Sequence, residues 1–202
     1  MTIRFAIFDM DDVLCAYDVG GRIRKLADFA GRTPEEVSRD IWESGFLHEA
    51  DNGRWDADAF LKEFGDRLGA PIDKETWLAI RRTSMQPLPD TLALVRRLAG
   101  RMPVAVLTNN DALVAREIDA LFPALRGLFG NRILVSATLG WAKPDPHCYL
   151  AACKWLAFNP TETFFTDDLQ VNVEGARMAG LTGHRFRGAG ALALALQKAG
   201  AL

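Results

Sequence analysis

Four short apolar segments rich in strand-forming residues recur along this chain, at Arg4–Phe8, Pro103–Leu107, Ile133–Val135 and Thr163–Thr166. The last three each follow a helical stretch, and a possible edge strand, His184–Phe186, comes last. The helical patterns carry Leu92, Val95 and Leu98; Val114, Ile118 and Leu121; Tyr149, Ala152 and Leu156; and Val173, Ala176 and Met178. Strands alternating with amphipathic helices constrain such a chain to an α/β fold, a parallel sheet with right-handed crossovers.

The first gap breaks that rhythm. Nearly ninety residues separate Leu14 from Pro103, where a crossover needs only about a dozen. The excess reads as helix. Thr33-Pro34-Glu35-Glu36 combines a capping threonine, a proline at the first helical position and a glutamate three residues after the cap, and Val37 and Ile41 follow at helical spacing. Val19, Ile23 and Leu26 mark an earlier helix; Asp56 can cap one carrying Phe60, Phe64 and Leu68; Asp73 can cap one carrying Trp77 and Ile80. Four helices are therefore expected over residues ~17–85, inserted between the first strand and its crossover helix. Pro87-Leu88-Pro89 punctuates the return. The expected division is a core of residues 1–15 and 87–202 and a helical subdomain of residues 16–86.

Within the 202 residues, 49% are hydrophobic and 25% charged, and the net charge is −2. With no basic tract, a nucleic-acid partner has no electrostatic support. No apolar run approaches the ~20 residues of a membrane span, so no membrane partner is expected. Met1-Thr2-Ile3-Arg4 runs straight into the first strand, so no signal peptide is expected. Cys15, Cys148 and Cys153 are odd in number and lack ligand spacing, as expected of reduced thiols in a cytoplasmic protein.

Chemistry concentrates at the strand ends. Phe5-Ala6-Ile7-Phe8 runs into Asp9-Met10-Asp11-Asp12. On a strand, Asp9 and Asp11 project the same way, and two carboxylates ~4 Å apart repel by about 4 kcal/mol at an effective dielectric of ~20. A cation, a proton or a substrate charge must offset that, and a hard ion such as Mg2+ suits oxygen ligands. Read alone, such a strand end also serves as a turn or helix cap. Leu107-Thr108-Asn109-Asn110 can present a hydroxyl and backbone N–H groups to an anion, or simply cap a helix. Lys143, in Ala142-Lys143-Pro144-Asp145-Pro146, sits on a proline-stiffened turn and can aim at a phosphate or at carboxylates, or stay solvated. Phe164-Phe165-Thr166-Asp167-Asp168 repeats the first pattern, with Asp168 equally able to cap the next helix. At one edge of a parallel sheet these acidic pairs would converge and would require a divalent cation and a lysine beside them.

In this order, Asp9-x-Asp11-x-Val13, Thr108, Lys143-Pro144 and Asp167-Asp168 resemble the motifs of the haloacid dehalogenase-like hydrolase superfamily, over the whole chain. Lys143-Pro144-Asp145-Pro146, with Asn172, Gly175, Ala176 and Gly180, is similar to its small sugar-phosphate phosphatases, such as the alpha-D-glucose-1-phosphate phosphatase-like proteins. The resemblance implies a Rossmann-like three-layer core and a helical cap. It implies phosphoryl transfer from a small phosphorylated metabolite, with Asp9 as nucleophile and Asp11 as general acid and base. Mg2+ would be held by Asp9, the Asp11 carbonyl and Asp168 with help from Asp167. Thr108 and the Asn109 backbone would bind phosphate, Lys143 would offset charge, and Asn172 would orient the acidic pair. Asp12 stands where the family usually has glycine, a departure open to a cap contact or altered metal affinity. Specificity is expected from the cap, with His48 and Arg54 in the polar stretch Leu47–Trp55 as candidates and Trp42, Phe46 and Trp55 mostly as subdomain core. Asp11 and the acidic pair argue against carbon–halogen hydrolysis; a phosphomutase or a non-catalytic binding domain would carry the same residues. Either a monomer or a homodimer is compatible with this reading.

Overall fold

A computed structural model describes residues 2–202. The strands are β1 (Phe5–Phe8), β2 (Cys15–Tyr17), β3 (Met85–Pro87), β4 (Val104–Thr108), β5 (Ile133–Val135), β6 (Thr163–Asp167) and β7 (Thr182–Arg185). The helices are α1 (Val19–Ala30), α2 (Pro34–Val37), α3 (Phe46–Asp51), α4 (Ala57–Leu68), α5 (Lys74–Arg82), α6 (Pro89–Ala99), α7 (Ala112–Leu121), α8 (Ala124–Phe129), α9 (Ser136–Leu139), α10 (Pro146–Leu156), α11 (Gln170–Met178) and α12 (Ala189–Lys198).

The main sheet is five-stranded and parallel, in the order β5-β4-β1-β6-β7, with Phe8 opposite Val106 on one side and Thr166 on the other. Its three central strands, β1, β4 and β6, are buried on both faces, so they read as apolar runs rather than as alternation. Period 2 decides which residue meets which layer. Ala6, Phe8, Val104, Val106 and Phe164 pack with Val95, Leu98, Val114, Phe129 and Leu192 from α6, α7, α8 and α12. Ile7, Ala105, Leu107 and Phe165 pack with Cys148, Tyr149, Ala152 and Ala176 from α10 and α11. The result is the expected three-layer α/β core. After β1 the chain moves towards β4 and β5, and after β6 it moves the other way, to β7. The carboxyl ends of β1 and β6 therefore flank a topological switch point, where such sheets bind ligands.

Between β1 and α6, β2 and β3 form an antiparallel pair with Tyr17 opposite Met85, and α1–α5 lie between them. Asp56 caps α4 through the N–H groups of Asp58 and Ala59, and Asp73 caps α5 through that of Thr76. At α2 the Thr33–Glu36 capping box is complete, and the chain continues through a wider π turn over Ser38–Trp42. Five helices rather than four are present. The addition is α3, six residues long with only Phe46 and Ala50 buried, too short to show a period. The inserted helices pack on α7, where Arg116 pairs with Asp58 at 2.7 Å and Lys74 with Glu117 at 3.4 Å. Just past α3, Gly53 lies so close to α9 that a Cβ there would stand 2.5 Å from the Ala137 carbonyl oxygen. Further departures are that β7 starts two residues before the expected edge strand, β6 includes Asp167, and α8, α9 and α12 carried no sequence signal strong enough to place them.

Candidate active site

Asp9 leaves β1 with its N–H donating to the Thr166 carbonyl at 2.9 Å, which extends the β1–β6 pairing. One carboxylate oxygen, Oδ1, accepts from the Met10 N–H at 2.8 Å and lies 2.8 Å from Lys143 Nζ. Burial pushes the Asp9 carboxyl well above the usual carboxylate range; Asp167 and Asp11 push the same way, and Lys143 opposes them. Lys143 Nζ also lies 2.6 Å from Asp167 Oδ2. Its side chain is 1% exposed. Burial alone would lower its pKa, but the two carboxylates outweigh burial and raise it, so the ammonium stays charged.

Two features hold that lysine. The Asn109 side chain clamps its backbone, donating to the Lys143 carbonyl and accepting from its N–H, both at 2.8 Å. From below, α11 presses on the turn through Gly175, where a Cβ would stand 2.1 Å from the Pro144 carbonyl oxygen. Glycine is needed here for close approach.

Asp167 and Asp168 part company, as neighbours at a strand end do. Asp167 is fully buried and its oxygens accept from Lys143, from the Leu169 N–H at 2.9 Å and from Asn172 Nδ2 at 3.0 and 3.1 Å. Asp168 faces the cavity; burial, then Asp167 and Asp12, raise its carboxyl. Asp9, Asp167 and Asp168 each present an oxygen, all within 4.8 Å of one another. Thr108, buried at the end of β4, accepts from Asn110 Nδ2 at 2.8 Å, which leaves its hydroxyl proton to donate elsewhere.

Apart from the buried Asp167, these groups line one cavity of about 350 Å³, bounded by Asp9, Asp11, Asp12, Asp51, Thr108, Asn109, Lys143, Asp168, Leu169 and Asn172. Asp12 adopts φ 58°, a conformation glycine favours and aspartate tolerates, and its Oδ1 accepts from the Tyr17 N–H at 3.0 Å. The departure from glycine is thus spent on a contact to β2. His48 and Arg54 are exposed and outside the lining, and Arg54 pairs with Glu49 at 2.9 Å. The inserted helices reach the cavity instead through Asp51, at the end of α3. Burial first, then Asp111, pushes its carboxyl up to about 8.

Sequence reasoning missed Asp51 and also Arg81, a buried arginine of α5 whose Nη2 donates to Asp11 Oδ2 at 3.2 Å and to Asn110 Oδ1 at 2.8 Å. Arg81 follows the buried Trp77 by one helical turn. An arginine on the apolar face was the available signal.

The profile of the haloacid dehalogenase-like hydrolases matches residues 3–180. Phosphatase MT3486 of Mycobacterium tuberculosis is 33% identical over 193 residues, covering 90% of this chain and 86% of that protein. The sesquiterpene phosphatase astK of Aspergillus oryzae is 27% identical over 192 residues, covering 90% and 89%. In structure, the HAD family enzyme bt-2542 of Bacteroides thetaiotaomicron, crystallised with magnesium and inorganic phosphate, superposes with a TM-score of 0.78 at 19% identity, covering 92% of this chain and 94% of that one. Among the described residues, no helix is long and apolar enough to cross a membrane.

Proposed function

This chain belongs to the haloacid dehalogenase-like hydrolase family, and we propose that within it the protein is a Mg2+-dependent phosphomonoesterase acting on a small phosphorylated metabolite through an aspartyl-phosphate. The observation that carries the reading is the placement of Asp9 beside a buried Lys143, with Asp11, Thr108 and Asp168 around the same cavity. A dehalogenase needs the first of these carboxylates but neither Asp11 nor the acidic pair.

The donor set fits a hard divalent cation, because it consists of carboxylate oxygens without sulfur or imidazole. Asp9 and Asp168 would hold the ion with the Asp11 carbonyl. Asp167, its oxygens already engaged by Lys143, Leu169 and Asn172, adds charge and fixes the lysine. When bound, Mg2+ neutralises the cluster and polarises the phosphate.

The chain's own residues do the rest. Thr108 and the Asn109 backbone hold the phosphate oxygens. An Asp9 oxygen forms a bond to phosphorus while the bond to the ester oxygen breaks, and Asp11 gives that oxygen its proton, releasing the alcohol. Asp11, now ionised, takes a proton from water as the water oxygen bonds to phosphorus and the Asp9–phosphorus bond breaks. Inorganic phosphate leaves, and Asp9 and Asp11 return to their starting states. Lys143 offsets the charge on Asp9 and on the transferring group throughout.

Residues 16–86 act as the cap and residues 1–15 and 87–202 as the core. The cavity, at about 350 Å³, suits a small leaving group, and Asp51 supplies an acceptor for a hydroxyl, which favours a sugar phosphate. The test is a phosphomonoester panel with and without Mg2+. Phosphate release that requires Mg2+ and favours polyhydroxylated esters is expected. Isomerisation without phosphate release would indicate a mutase, and chloride release from a 2-haloacid without metal would indicate a dehalogenase.

A further inference from the structure

Arg81 belongs to an inserted helix yet ends in the core. Its side chain is 3% exposed. Nη2 is shared between Asp11 Oδ2 at 3.2 Å and Asn110 Oδ1 at 2.8 Å, and Nη1 donates to Tyr17 Oη at 3.2 Å. The guanidinium lies 4.9 Å from the centroid of the Tyr17 ring. Tyr17 Oη also accepts from Arg22 at 2.6 Å, and Arg22 packs over Trp77 at 4.9 Å. Arg81 is therefore gripped on three sides, and the oxygen it meets in the cavity belongs to Asp11.

Stability does not explain a cation here. Taking an arginine and a carboxylate out of water costs several kcal/mol per ion, and a well-packed apolar pair is often as stable or more so. A planar fork with fixed donors does something an apolar side chain does not, which is to fix the orientation of its acceptors. Asn110 illustrates this. Because its Oδ1 must face the cation, its Nδ2 must face Thr108, and it does so at 2.8 Å. Asp11 meets the same constraint. The other neighbour of its carboxylate is the Cys15 thiol, 3.6 Å from Oδ1, which is a weak donor and a poor orienter.

We infer that Arg81 is a positioning residue for Asp11: by anchoring Oδ2 it holds the carboxyl group where its other oxygen can exchange a proton with the ester oxygen. This rests on the phosphatase reading. It also makes the leaving-group step depend on the inserted helices, since Arg81 is delivered by α5 and steadied by Tyr17 of β2.

The test compares two esters. p-Nitrophenyl phosphate has a leaving group that departs with little need of a proton, whereas glycerol phosphate depends on proton donation. In Arg81→Met, disturbance of Asn110 and Thr108 should lower kcat/KM, which reports the transfer to Asp9 and not the later attack of water, on both esters alike. Displacement of Asp11 should add a further loss of about 10- to 100-fold on glycerol phosphate alone, part of the ~10²–10⁴ that a positioned acid supplies. Asp11→Asn should show the same selective loss, and adding Arg81→Met to it should deepen the selective component by less than about threefold, since both remove one function. Arg81→Lys keeps the charge without the fork and should lie between; it carries the same comparison if circular dichroism shows that Arg81→Met does not fold. An equal loss on the two esters, or selective losses that multiply in the double variant, would overturn the proposal. Wild-type protein that turns over neither ester would instead refute the phosphatase reading beneath it.

Discussion

Replacing Lys143 by methionine removes the cation that two buried carboxylates share. Nζ stands 2.8 Å from Asp9 Oδ1 and 2.6 Å from Asp167 Oδ2, and the three side chains are 1%, 10% and 0% exposed. Breaking a buried pair by removing one partner costs about 3–5 kcal/mol, a large share of the ~5–15 kcal/mol that holds a domain together. The sign of the pH dependence follows from Asp9, whose folded pKa is already raised by burial and must rise further without Lys143. Over the window between the unfolded value of ~3.9 and that raised folded value, the native state keeps a proton that the unfolded chain gives up. Stability therefore falls as pH rises through the window, and the cost of the substitution should be greater at pH ~8 than at pH ~5. Urea unfolding in EDTA at both pH values measures this, with unchanged m-values as the check on two-state behaviour. Adding Asp167→Asn removes one stranded charge and should return more than half of the loss. A single-variant loss below ~1 kcal/mol that does not change with pH, or a double variant weaker by the sum of its parts, would refute the account of Lys143.

Three further outcomes are expected. Asp51, with its carboxyl pushed up to about 8, disfavours the folded state increasingly as pH rises from ~4 to ~8. Asp51→Asn should therefore raise the unfolding free energy measured in EDTA at pH 8 but not at pH 4, by on the order of 2 kcal/mol because the group stays partly solvated. Gly175→Ala places a Cβ 2.1 Å from the Pro144 carbonyl oxygen, so α11 or the Lys143 turn must move; stability should fall by ~1–3 kcal/mol and turnover at least tenfold, as unfolding and kcat measurements would show. His48→Ala and Arg54→Ala, at exposed positions outside the cavity, should leave the substrate profile unchanged, and a shifted profile would place them at the site after all.

The core strands were legible because a parallel sheet covered on both faces demands uninterrupted apolar runs, and Phe5–Phe8, Val104–Thr108 and Thr163–Asp167 are such runs. The acidic residues at their ends stood out against that background. The β2–β3 pair was not legible, because Cys15-Ala16-Tyr17 and Met85-Gln86-Pro87 are three residues each and are strands only by virtue of pairing with one another across the insert. The same holds for α3, which is placed by Gly45 before it and by the approach of Gly53 to Ala137 after it. Missing α3 meant missing Asp51 and looking instead to His48 and Arg54. Asn109 is the subtler case. Its position beside Thr108 was apparent, but that its amide would clamp the Lys143 backbone depends on a loop more than thirty residues away. Arg81 was visible as a residue and invisible as a partner of Asp11, since helical spacing shows which face is buried but not what that face meets.

In the proposed reaction, Asp9 is the group that receives the phosphoryl moiety. Acid-quenching the Mg2+-loaded protein during turnover of a phosphomonoester, followed by proteolysis and mass spectrometry, tests it directly. A phosphoryl group on Asp9, absent in Asp9→Asn and without EDTA-resistant turnover, is the predicted result. Continued phosphate release by Asp9→Asn, or a phosphoryl group on any other residue, would contradict it.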